Sequence, residues 1–140
     1  MATITERVTA GGAFMDVNDP GWWRADTERA IDLATLNIAH GDACLLGQRC
    51  PLETLTAYLG GFPPEEEGDE ECRYQAYAGV LSGRPRRDAE GLREWASALG
   101  FNRPFGGTGA EYEELTAEWK RVIGTRREAA TAAGEGNGNG

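Results

Sequence analysis

The chain has 140 residues, 40% of them apolar and 26% charged, with a net charge of −9 at neutral pH. That length supports one domain with its own hydrophobic core and is short for two, and the composition is globular rather than disordered. The acid surplus argues against nucleic acid as the partner, because phosphate binding depends on Lys and Arg displacing counterions. No apolar run approaches the roughly 20 residues that span a bilayer, which argues against a membrane partner.

The charge is uneven. Residues 1–70 hold 4 Arg against 13 Asp or Glu, whereas residues 71–140 are balanced at 10 basic and 10 acidic. Solubility is the plain reading of such a surplus, and attraction of a basic protein partner is the functional one. Lys120 stands alone against 13 arginines, a ratio that codon bias in a GC-rich genome explains and folding does not require. Met1 to Arg7 lacks a basic stretch followed by an apolar one, so no signal peptide is expected and a cytoplasmic location is. In that reducing setting Cys44, Cys50 and Cys72 are expected as free thiols.

In chain order, Ile4, Val8, Gly11 or Gly12 and Met15 recur at helical spacing, and Asp19-Pro20-Gly21 should stop the helix they form. Residues 22–30 suit a short helix, and Ile31 to Ile38 alternate in a way that suits a short extended segment. Pro51 fits the first turn of a helix carrying Leu52, Leu55, Tyr58 and Leu59, ended by Gly60-Gly61, with Phe62 folding back onto it. From Glu66 to Leu81 a helix is expected with Tyr74, Tyr77, Val80 and Leu81 inward, its acidic N-terminus favoured by the macrodipole.

Asp88 is an N-cap for a helix whose face is Leu92, Trp95, Ala96 and Leu99, and Gly100-Phe101 ends it. Tyr112, Leu115, Trp119, Val122 and Ile123 line a final helix, with acids in its first turn and Lys120, Arg121, Arg126 and Arg127 later. The expectation is a mainly α fold, a compact bundle of four to five helices over residues 1–128. A flexible Ala/Gly-rich tail would follow from 129 to 140.

No constellation meets the requirements of a catalytic site. A zinc centre needs four N or S ligands, and His40, Cys44, Cys50 and Cys72 lack the Cys-x2-Cys knuckle, so no metal and no cofactor are expected. Cys44 as a nucleophile would need His40 as its base, and Gly41-Asp42 between them favours a turn over a shared helix face. Gly106-Gly107-Thr108-Gly109 opens a helix without the Gly-Lys-Ser/Thr of a phosphate loop, and Glu111, Glu113 and Glu114 would repel an anion there. The run Glu65, Glu66, Glu67, Asp69, Glu70 and Glu71 reads as a solvated segment, with docking of a basic partner as its functional reading. Arg84-Pro85-Arg86-Arg87 is a short basic knot that could pair with that run. Trp22 and Trp23, about 100° apart on a helix, cannot easily share one narrow stripe; the plain reading is that both cap the core, and the functional one is that one belongs to the core and the other anchors a partner.

Four pieces in order carry a resemblance. They are Pro20-Gly21-Trp22-Trp23, then Ile31-Asp32-Leu33-x2-Leu36, then Cys44-Leu45-Leu46-Gly47-Gln48, and Glu111-Tyr112-x2-Leu115-Thr116-x2-Trp119. Together they resemble a set of short proteins encoded by actinobacteriophages and actinobacterial prophages, over about residues 5–127. The resemblance implies a bacterial host and brings no activity, cofactor or catalytic residue. A second cysteine often precedes the third piece in that family; here Asp42 and Ala43 stand there, which removes a metal-binding pair. The function expected is that of an accessory protein that binds a host or phage protein through Trp22, Trp23 and the acidic run. A small structural or assembly component of a virion is the alternative.

Overall fold

The structure is a computed structural model that describes residues 3–65, 67–85, 87–103 and 107–133. Among them are six α-helices: α1 (Ile4–Asn18), α2 (Leu45–Arg49), α3 (Leu52–Tyr58), α4 (Arg73–Ser82), α5 (Ala89–Ala98) and α6 (Gly109–Ala132). A 3-10 turn over Glu67–Cys72 leads into α4. The mainly α class is as expected, and the described residues contain no strand. None of their helices is long and apolar enough to cross a membrane.

Both long helices begin at a reciprocal cap. Thr3 accepts from the Glu6 amide while the Glu6 carboxylate accepts from the Thr3 amide, and Thr108 and Glu111 repeat the arrangement at α6. α1 buries Val8, Gly11, Gly12 and Met15 and packs on α5 and α6. A Cβ at Gly11 would lie 1.9 Å from the Leu99 carbonyl oxygen, so only glycine lets α1 meet the end of α5 this closely. α4 forms the other centre, packing on α2, α3 and α5.

The core is aromatic at its middle. Trp119 stacks on Phe101 at 5.7 Å and meets the edge of Trp22 at 5.6 Å, while Trp95 packs on Phe14 and Phe101 at 5.5 Å each. Both buried indole N–H groups find acceptors: Trp119 donates to the Gly100 carbonyl at 2.7 Å and Trp22 to Asp16 at 3.0 Å.

Residues 19–44 differ most from expectation. The short helix over 22–30 and the extended segment over 31–38 are both replaced by successive turns. Ile31, Leu36 and Ile38 are buried as the alternation implied, yet no neighbouring strand is present to complete a ladder. Side chains from distant elements take the backbone groups instead. Arg127 donates to the carbonyls of Trp23 and Ile31 at 2.8 Å each, and Thr116 accepts from the Ile38 amide at 2.9 Å. Gln48 accepts from the Asp32 amide at 2.6 Å, and Arg49 donates to the Arg29 carbonyl at 2.8 Å. Beneath them lies a buried bidentate pair, Arg49 to Asp19 at 2.9 and 2.7 Å, with the Tyr77 hydroxyl donating to the same carboxylate at 2.9 Å.

Other boundaries shift for local reasons. The helix expected from Glu66 begins at Arg73, after the 3-10 turn, and it buries Ala76, Tyr77 and Ala78 while Val80 stays 65% exposed. Phe62 does not fold back onto α3 and is 71% exposed. α6 runs to Ala132 with Ala130 buried, so the domain boundary expected at 128 falls inside a helix. The remainder of the expected tail, 134–140, lies outside the described residues.

Candidate functional site

The structure separates the two tryptophans. Trp22 is fully buried between α1 and α6, so it cannot touch a partner, and its place among the partner-binding residues is corrected to the core. The guanidinium of Arg126 lies 5.3 Å from its ring centroid and is held by Asp16, whose carboxyl that pairing keeps below its usual range. Trp23 is half-buried, with Arg24 at 5.3 Å from its ring centroid. It borders a recess of only about 90 Å³, shared with Arg127, Ala130 and Thr131.

The acidic run leads into α4. Glu65 and Glu71 are exposed, Asp69 accepts from the Glu65 amide at 2.9 Å, and Glu70 pairs with Arg73. Glu66 lies outside the described residues, and Glu67 opens the 3-10 turn. In the basic knot Arg84 pairs with Asp88 at 3.5 Å, and Arg86 lies outside the described residues.

The cysteines serve the fold. Cys44 is the N-cap of α2, its sulfur accepting from the Gly47 amide at 3.3 Å, and burial pushes its thiol up to about 12. Burial also raises Cys50, to about 11. Such thiols stay protonated and are poor nucleophiles. Among the described residues no three His, Cys, Asp or Glu side chains gather closely enough to hold a metal ion. At the start of α6 the Thr108–Glu111 cap occupies the helix N-terminus, and Gly106 of that loop lies outside the described residues.

A larger concavity than the recess beside Trp23 lies elsewhere, a groove of about 650 Å³ between α3, α4 and α5. That volume lies within the range of roughly 300–1,000 Å³ in which proteins hold ligands. Its apolar lining is Ala57, Ala76, Val80, Pro85, Ala89 and Leu92. Small side chains on α3 and α4 keep it open, since no large residue at 57, 76 or 79 fills the space. Along α4 its lining runs from Tyr74 to Val80, about 9 Å at 1.5 Å per residue, and Arg84 and Pro85 continue it beyond the helix end.

Polar groups gather at the Tyr74 end. Asn102 is buried and donates to the Tyr74 hydroxyl at 3.1 Å, and Arg93 donates through Nε to the Arg103 carbonyl at 2.6 Å. Burial raises the Tyr74 hydroxyl above its ordinary value, so it remains a donor at neutral pH. Tyr58 donates to Gln75 at 2.9 Å across the α3–α4 seam. None of these was read from sequence as a site residue, because periodicity placed Tyr58, Tyr74 and Val80 on core-facing helix stripes. The run of small residues at 76, 78 and 79 is the one signal that a groove could lie there.

No protein-family model matches the chain, and no characterised protein or solved structure is similar to it.

Proposed function

We propose that this chain is a phage or prophage accessory protein that works by binding a protein partner, and that it seats an amphipathic segment of that partner in the α3–α4–α5 groove. The observation that carries this reading is the groove itself, an open apolar trough beside the 65% exposed Val80. Its run of about 9 Å along α4 matches about six residues of helix, nearly two turns, and a helix laid in an apolar groove is a recurrent mode of peptide recognition. The phage or prophage origin rests on the four-piece resemblance alone. The acidic run at the entry to α4 adds favourable long-range attraction for a basic partner surface.

A tagged pull-down from actinobacterial lysate tests the reading when run beside two variants. Val80→Glu places a charge in the groove, while Val17→Glu places one at a 79% exposed position on α1 as a control. One protein enriched by the native chain and by Val17→Glu, and lost with Val80→Glu, is the expected result. No enrichment in lysate, together with recovery from purified particles at fixed stoichiometry, would replace the reading with that of a virion component.

A further inference from the structure

We infer that the end of the groove built by Tyr74, Asn102 and Arg93 holds a carboxylate of the bound segment, so that the partner presents an amphipathic helix with an acidic side chain flanking its apolar face. This rests on the reading of the groove as the docking site.

The Tyr74 hydroxyl accepts from Asn102, and among the described residues no acceptor takes its own proton. Asn102 spends one amide proton on that bond and its carbonyl on the Arg103 amide at 2.9 Å, which leaves a second amide proton. Both side chains line the groove, and Asn102 is buried, where a polar group without a partner costs stability. Arg93 adds a positive charge on the same lining. The two neutral donors suit an acceptor, the positive charge of the lining favours one bearing negative charge, and a carboxylate accepts several hydrogen bonds at once. Glu53 is the one carboxylate among the lining residues described. It lies on α3 five residues before Tyr58, about 7.5 Å along the helix from the residue that touches Gln75. The whole chain has a charge of −9, so a site for an acid is local complementarity set against a repulsive background. That opposition makes salt a diagnostic: added salt screens the distant repulsion more than the close contact.

Two synthetic helical peptides that share one apolar face and differ only by Glu or Gln at the flanking position test the inference by titration calorimetry on the full chain. The Glu peptide is expected to bind about tenfold tighter, the scale of a hydrogen bond to a charged group. The gap should survive raised salt. It should close in Tyr74→Phe and in Arg93→Gln, each losing several-fold more affinity for the Glu peptide than for the Gln peptide, with each variant's fold checked by circular dichroism. Equal affinity for the two peptides overturns the carboxylate site and leaves the groove reading standing, provided Val80→Glu abolishes binding of both. If neither peptide binds the native chain, the groove reading falls and this inference with it. Dodecanoate is titrated alongside. If it displaces the Glu peptide and binds tighter, the occupant is a free amphiphile and the protein-partner inference is overturned.

Discussion

At the scale of single residues, burial decides what the chemistry-bearing side chains can do. Cys44 closes α2 as an N-cap although sulfur is a weak acceptor and cysteine is not among the usual capping residues. Its thiol, raised to about 12, and that of Cys50, raised to about 11, are protonated throughout the physiological range and shielded from reagents. Cys72 is only half-buried. Titration of the native protein with an aromatic disulfide reagent at pH 8 should therefore show one thiol reacting promptly. The other two should react only when denaturant is added. Three prompt thiols would mean that the α2 region opens readily. The tryptophan pair shows how far residue-level reading reaches. The 100° offset assumed a helix, and residues 22 and 23 lie in turns, so the division into a buried Trp22 and a half-buried Trp23 has another cause. Which of the two is buried depends on Asp16 and Trp119, six and 97 positions away, and no local pattern contains that.

At the scale of elements, the clearest lesson comes from two helix ends that look alike in sequence. α5 ends at Leu99-Gly100-Phe101 and α3 at Leu59-Gly60-Gly61-Phe62. Both form the same paired stop. The Gly100 amide donates to Ser97 and the Phe101 amide to Ala96; the Gly60 amide donates to Ala57 and the Gly61 amide to Thr56. In α5 the second position after the cap is Phe101, which enters the core. In α3 the extra glycine takes that position, so Phe62 is carried one step past the contact and stays exposed. Gly60 and Gly100 are both left-handed, with φ of +89° and +74°. Gly60→Ala should cost about 1–2 kcal/mol in urea unfolding, the strain of a left-handed L-residue. Gly100→Ala should cost clearly more, because its Cβ would also lie 3.0 Å from both the backbone and the side chain of Val8 and would push α1 away. Equal costs would mean that α1 yields freely at this crossing. Such capped, periodic helices were legible: α1, α5 and α6 sit where spacing and caps put them. α2 was not, since five residues hold too little periodicity to register. It also contains Gly47, a poor helix former kept because a Cβ would meet the Gly41 carbonyl oxygen at 2.1 Å.

At the scale of the whole molecule, arginine does the work that regular secondary structure does elsewhere. Between α1 and α2 the backbone runs through turns, and its carbonyls are met by guanidinium groups from α2 and α6. A planar fork can serve two acceptors at once, which a lysine ammonium on a single stem does less well. This is why 31–38 was not legible: alternation recorded which side chains are buried, while the bonds that fix the backbone come from partners up to 96 positions away. The same feature yields a test of how the molecule is held together. Arg127→Ala removes two long-range bonds, from Trp23 and Ile31, without touching the aromatic core. Each such bond contributes about 0.5–1.5 kcal/mol, so amide hydrogens in 23–31 should lose about tenfold or more of their exchange protection. Amides in α5, which Arg127 does not touch, should change little. Arg127→Lys keeps the charge but not the fork, and should restore protection only in part. A uniform loss across every helix would mean that the turn region and the helices unfold as one unit. No loss at all would mean that Ile31, Leu36 and Ile38 hold the segment by burial alone, leaving the arginine contacts as decoration on a region already fixed by its apolar side chains.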